Sequence, residues 1–145
     1  MKDDAPLVDT NILVYAYDVF DKKKHEKCKT IVETAFRGDR KLTVTNQILS
    51  ELFMVLTKKL KKPFSPEDAA AIVSGIIDSI NWVKINYTHE TVKKAVAISA
   101  RDKLSIWDSL IIATAMENEI ATIYTENTKD FAGQPKAINP VHDYS

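Results

Sequence analysis

Three carboxylates in this 145-residue chain are set among apolar residues: Asp9 after Leu7-Val8, Glu51 between Leu49 and Leu52-Phe53, and Asp108 within Ile106-Trp107-Asp108-Ser109-Leu110-Ile111. Burying an unpaired carboxylate costs several kcal/mol or forces it to take up a proton, so each needs a partner. Asp108 has no lysine or arginine three or four positions away, which removes a helical ion pair from consideration. Acids that converge from separate elements repel one another, and a hard divalent cation removes that repulsion. Mg²⁺ takes oxygen ligands at about 2.0–2.1 Å, keeps several waters and can activate one of them while stabilising charge on a phosphoryl group. Local readings also account for each acid. Asp9-Thr10-Asn11 reads as a helix-cap cluster, and Ser105 to Asp108 as a variant capping box with its acid in a first turn. Glu51 reads as a half-exposed residue on the rim of a helix. At this level both readings stand.

Other chemistries find less support. His25, His89 and His142 are isolated, and no His/Cys cluster has zinc spacing. Ser50 lacks the histidine that nucleophilic catalysis needs, and there is no glycine-rich phosphate loop. Cys28, the single cysteine, falls on an amphipathic pattern and reads as a packing residue in a reducing compartment. Lys+Arg 20 against Asp+Glu 20 gives no net charge, so attraction for nucleic acid must come from local patches. Lys22-Lys23-Lys24 with Lys27, and Lys58-Lys59-Leu60-Lys61-Lys62, are the candidates. Both runs also read as solvated helix faces. No apolar run approaches the roughly 18 residues that span a bilayer. The first six residues carry two acids and no apolar segment, so a cytoplasmic location is expected.

The elements that must position these acids follow from periodicity. Leu7-Val8 reads as a short buried strand with Asp9 at its carboxyl end, where open α/β sheets form ligand crevices. Residues 12–17 read as a loop or short helix, and 21–36 as a helix with Cys28, Ile31, Val32, Ala35 and Phe36 on one face. A strand over 42–45 leads into a helix over 46–61 that carries Glu51. Ser65 and Pro66 start a helix to residue 80, with Ala69, Ile72, Val73, Ile76, Ile77 and Ile80 as its buried set. A strand over 82–85, a helix over 88–101 capped by Thr88, a nearly all-apolar helix over 104–116, and strands at 121–125 and 137–138 complete the chain. Strands alternating with helices imply one α/β domain over residues 1–145, with a mostly parallel sheet covered on both faces.

Four segments, in order, resemble the PIN-domain ribonucleases, and most of all the VapC-type toxins of prokaryotic toxin–antitoxin pairs. They are Val8-Asp9-Thr10-Asn11-Ile12-Leu13, Ser50-Glu51-Leu52, Ser105-Ile106-Trp107-Asp108-Ser109-Leu110-Ile111 and Ile123-Tyr124-Thr125-Glu126-Asn127. Ile138-Asn139-Pro140 resembles the family's last strand. The resemblance implies a Rossmann-like α/β/α sandwich with about five strands. It also implies an acidic cluster that binds Mg²⁺ or Mn²⁺ and cleaves RNA. By the same resemblance Asp9, Glu51 and Asp108 are the catalytic metal ligands, Thr10 and Asn11 order them by hydrogen bonds, and Ser105 caps the buried helix. Asn127 stands where the family commonly has an aspartate, so it offers a neutral carbonyl to the metal, with Thr125 and Glu126 in support. Glu126 or Asp130 would be the substitutes for the missing acid. A homodimer, an inhibiting antitoxin and an RNA with unpaired bases are the implied partners. The alternative is a PIN domain that has lost its fourth acid and serves as an RNA-binding or scaffolding module. A haloacid-dehalogenase-like phosphatase would need a second aspartate at Asn11, and a receiver domain a lysine within 121–125; neither is present.

Overall fold

The structure, a computed structural model, describes residues 4–131, 133 and 135–142. Its centre is a five-stranded, wholly parallel sheet of very short strands: β1 (Leu7–Val8), β2 (Thr43–Thr45), β3 (Val83–Ile85), β4 (Thr122–Tyr124) and β5 (Lys136–Ile138). The spatial order is β3-β2-β1-β4-β5. β1 lies in the middle, with Leu7 opposite Thr43 on one side and Ile123 on the other. Both β1 residues are fully buried, which explains why this strand reads as a plain apolar dipeptide without alternation.

Six helices join the strands: α1 (Thr10–Tyr17), α2 (Lys22–Arg37), α3 (Asn46–Lys58), α4 (Pro66–Asp78), α5 (His89–Asp102) and α6 (Ile106–Glu117). The connections from β1 to β2 and from β2 to β3 step toward one edge, whereas that from β3 to β4 returns across β1. Because parallel crossovers are right-handed, this reversal puts α5 and α6 on the face opposite α1 to α4. The packing agrees: α1 contacts α2 and α3, α3 contacts α4, and α5 contacts α6. None of these helices is long and apolar enough to cross a membrane.

Local chemistry sets the helix ends. Asp21 accepts from the Lys24 N–H at the start of α2, Thr45 from that of Ile48 at the start of α3, and Ser65 from that of Asp68 at the start of α4. Thr91 Oγ1 accepts from the Thr88 N–H at 3.1 Å at the start of α5. Gly38 closes α2 with φ 80°, the left-handed conformation that favours glycine.

Of the two readings left open for residues 12–17 the short helix is the one formed, as α1 begins at Thr10 immediately beyond Asp9. Two expectations are corrected. α3 ends at Lys58 rather than residue 61. In α4 only Ala69 and Ile76 are buried. Ile72 and Val73 are half-buried, Ile77 is exposed, and Ile80 lies beyond the helix at 96% exposure. α4 packs against α3 at the rim of the fold, so one stripe of it is covered rather than a full face. The helix over 104–116 is, as expected, the central one, with every residue from Ser109 to Ala115 buried.

Cys28 is a free, fully buried thiol, pushed up to about 12 chiefly by burial and then by the nearby Glu126 charge. It is a packing residue. Ser109 Oγ is buried in α6 without a hydrogen-bond partner among the described residues. Ser109→Ala removes that hydroxyl and restores helix propensity, so we expect it to raise stability by about 0.5–1.5 kcal/mol. Urea unfolding of the two proteins checks this, and a loss of stability would show that the hydroxyl has a partner.

Candidate acidic centre

Asp9 is the residue on which β1 hands over to α1. Its N–H donates to the Tyr124 carbonyl at 2.9 Å, which prolongs the β1–β4 ladder by one bond. Its backbone is extended, and its side chain caps α1, with Oδ1 accepting the Thr10 N–H at 2.8 Å. Oδ2 accepts the Thr125 hydroxyl at 2.8 Å from the end of β4. The cap and the candidate site residue are therefore the same group. It sits between β1 and β4, where the crossover direction reverses, and this is the place where open α/β sheets bind ligands.

α1 brings in the second acid. Thr10 Oγ1 donates to Glu51 Oε2 at 3.2 Å, and Gln47 Nε2 donates to Glu51 Oε1 at 2.6 Å. The same Gln47 amide donates to the Trp107 carbonyl at 3.2 Å, which ties α3 to the first turn of α6. That turn is fixed by Ser105, whose hydroxyl accepts the Asp108 N–H at 3.0 Å. Glu51 and Asp108 are both half-buried, while Asp9 is only 6% exposed.

Charge records how near these groups are. Burial raises the Asp9 carboxyl above its ordinary value; the Thr125 and Thr10 hydrogen bonds oppose this, and the charges of Asp108 and Glu51 add to it. Asp108 is raised first by burial, against its Ser105 bond, and then by Asp130 and Glu51. Among the described residues none of Asp9, Glu51, Asp108 and Asp130 forms an ion pair with a lysine, arginine or histidine.

The strand-end motif divides its work. Asn11 Oδ1 accepts the Glu126 N–H at 3.1 Å, fastening α1 to the turn after β4. Glu126 turns to another partner set: Lys24 Nζ at 2.6 Å and the Tyr15 hydroxyl at 2.8 Å. Both of its oxygens are thereby engaged by these two residues. Asn127 is exposed, with its N–H donating to Thr125 Oγ1 at 3.0 Å. Asp130, on the 3-10 turn Thr128–Phe131, is the residue of this segment whose charge reaches Asp108. Lys24, expected in a basic patch, is engaged by Glu126, which holds it firmly cationic.

Among the described residues no three of these carboxylates close on one point as a ready-made direct cage. The donors are nevertheless all hard oxygens, one of them deeply buried and without a compensating cation. That set fits a hydrated hard cation such as Mg²⁺, which keeps several of its waters, and does not fit zinc. Gln47 escaped the sequence reading, although its place four residues before Glu51 on one helix face was a usable signal. The Tyr15–Lys24–Glu126 group had none, because its members are up to 111 positions apart.

The PIN domain family matches residues 7–135, and the chain belongs to it. A search of curated proteins finds no match. Among solved structures, the chain is similar to Mycobacterium tuberculosis VapC20, a sarcin–ricin loop cleaving toxin, with TM-score 0.70 and 18% identity over 88% of this chain and 94% of that one. It is also similar to a chain of a toxin–antitoxin complex from Klebsiella pneumoniae, with TM-score 0.64 and 23% identity over 94% and 98%. A third is VapBC2 from Rickettsia felis bound to a DNA fragment from their promoter, with TM-score 0.63 and 19% identity over 92% and 96%. At these identities the likeness is one of fold.

Raised carboxyls make the metal-free protein pH-sensitive in a definite direction. A carboxyl whose folded-state value lies above its unfolded value binds its proton more tightly when folded. Its contribution to stability is present at low pH and is lost as pH rises through the folded-state value. In chelator we expect Asp9 and Asp108 to make wild type lose more stability between pH 4 and pH 7 than Asp108→Asn does, and Mn²⁺ to remove the difference. Thermal melts of both proteins at the two pH values check this; parallel pH profiles in chelator would contradict it.

Proposed function

We propose that this PIN domain is a divalent-metal-dependent ribonuclease that hydrolyses RNA phosphodiester bonds, with Mg²⁺ or Mn²⁺ as its cation. We further propose that it is the toxin member of a toxin–antitoxin pair. The observation that carries the reading is Asp9: a buried carboxylate at the sheet's reversal point, raised by burial and then by two further acids, and paired with no base among the described residues. When bound, the cation supplies an acidified water and neutralises charge on the phosphoryl group. Asp9 and Asp108 would hold it, with Asp130 the charged group at the fourth corner and Asn127 a neutral one. Glu51, gripped on both oxygens by Thr10 and Gln47, would orient the attacking water and accept its proton. Thr10, Thr125 and Ser105 hold the carboxylates in position and take no proton themselves.

An acidic centre repels RNA, so attraction must come from its surroundings. Lys61 Nζ lies 4.4 Å from the centroid of the Phe20 ring, just before the exposed Lys22 and Lys23. Lys61 of the second run thus reaches Phe20 at the start of the first, and these runs are the candidates for that attraction, with Lys24 withdrawn by Glu126. A homodimer and an antitoxin are the protein partners of this reading; its fold likeness to toxin–antitoxin complexes supports the second.

The test is cleavage of structured and unstructured RNA with Mg²⁺ or Mn²⁺ against chelator. We expect Asp9→Asn and Asp108→Asn each to lose more than about 100-fold, beyond what outer-shell changes cost. Asp130→Asn should lose about 10–100-fold, and Asn127→Ala less than either aspartate variant. Metal-dependent cleavage that survives the first two substitutions would remove those residues from the site. RNA binding without cleavage in either metal would favour the scaffolding alternative.

A further inference from the structure

A cavity of about 570 Å³ opens beside the acidic centre, and Glu51 and Gln47 form part of its wall. Its other side is aromatic and soft: Trp107, Tyr87 and Met54. The volume is that of a small-molecule site, typically about 300–1,000 Å³. Trp107 is 62% exposed, so its ring is open to a ligand that enters the cavity. Its backbone is held in place. It precedes Asp108 in the turn capped by Ser105, and its carbonyl is held by the Gln47 amide that holds Glu51. Tyr87 is braced as well, because Asn86 Oδ1 accepts both the Tyr87 N–H at 2.8 Å and the Asn46 amide at 2.6 Å.

We infer that this cavity is a subsite for one unpaired nucleobase of the RNA, next to the phosphate at the acidic centre, with Trp107 as the stacking platform. The inference rests on the ribonuclease reading and deepens it. Three features favour a base over a protein side chain or a second copy of the chain. Exposed aromatics with neighbouring amides are how proteins hold splayed bases, by stacking and by edge hydrogen bonds. The exposed Asn46 supplies such an amide on the cavity wall, with one of its two N–H groups given to Asn86. A base is also neutral and does not seal the pocket, so Glu51 keeps its access to cation and water. A protein surface pressed over the same pocket would bury Glu51 without a compensating charge. The consequence is selectivity for unpaired RNA: in a duplex the base is stacked on its neighbours and unavailable to Trp107.

The chain has two tryptophans, and Trp82 is 2% exposed, which makes emission from Trp107 separable. Trp82→Phe leaves Trp107 as the sole reporter. A 12-nucleotide RNA of mixed sequence, single-stranded or annealed to its complement, is mixed with this protein in Mg²⁺. Trp107 quenching is followed by stopped flow before turnover, and products are then run on a gel. We expect the single strand to quench Trp107 and the duplex not to. Trp107→Ala should weaken single-strand binding roughly 5- to 100-fold, the usual range for one lost base stack, and Trp107→Phe should restore most of it. Thermal melts should show the parent fold in both variants, since the side chain is exposed.

Cleavage by the parent with no quenching, or with single-strand binding unchanged in Trp107→Ala, would overturn the subsite and leave the ribonuclease reading standing. Absence of both binding and cleavage would overturn both. Trp107 emission that shifts with protein concentration in the absence of RNA would assign the pocket to a second copy and overturn the proposal.

Discussion

A single desolvated carboxylate sets the terms for the rest of the molecule. Asp9 is fixed from three sides, by the Tyr124 carbonyl behind it, the Thr10 N–H at the head of α1 and the Thr125 hydroxyl at the end of β4. These bonds hold the carboxylate in place and offset part of its desolvation, but neutral dipoles do not cancel its charge. With Glu51 and Asp108 adjacent, repulsion accumulates where the sheet is least able to relax, since β1 is bonded on both edges. A fold built this way carries an electrostatic cost of the kind that a hard cation would relieve.

The neighbouring charges are arranged so that the cost is not relieved internally. Lys24 lies in α2, within reach of the same strand end, and it is bound at 2.6 Å to Glu126 with the Tyr15 hydroxyl beside it. That pair neutralises itself and turns Glu126 outward from the cluster. Asn11 is the pivot, because its side-chain oxygen takes the Glu126 N–H and so determines which way the residue after Thr125 projects. On the other side, Thr10, Glu51, Gln47 and the Trp107 carbonyl form one chain of bonds across α1, α3 and α6. Two networks thus leave from adjacent residues of a single turn, one excluding an acid and the other retaining one.

Much of this was legible in the sequence because it is local. The caps Ser65, Thr88 and Ser105, the buried helix around Leu110 to Ala115, the parallel sheet implied by β–α alternation and the three acids in apolar surroundings all follow from local sequence pattern. What was not legible is non-local. Ile80 looks like a core residue by spacing but lies past the end of a helix at the rim of the fold. The pairing of Lys24 with Glu126 spans 102 positions and cannot be anticipated from a run of lysines. Trp107 looks like one more member of an apolar helix, and only the placement of α3 against α6 turns it into the wall of a pocket.

The fourth corner of the site follows from the same geometry. Thr125 Oγ1 donates to Asp9 and accepts the Asn127 N–H, so the turn after β4 is pinned to the carboxylate it flanks. The chain then enters a 3-10 turn in which the Asp130 N–H bonds to the Asn127 carbonyl, and Asp130 comes within electrostatic reach of Asp108. An aspartate at 127 would add a fifth carboxylate to four that have no ion-pair partner among the described residues. An amide there keeps an oxygen donor at the rim without that charge. Asp130, three residues after Asn127, thus brings a carboxylate near Asp108 where position 127 itself carries none.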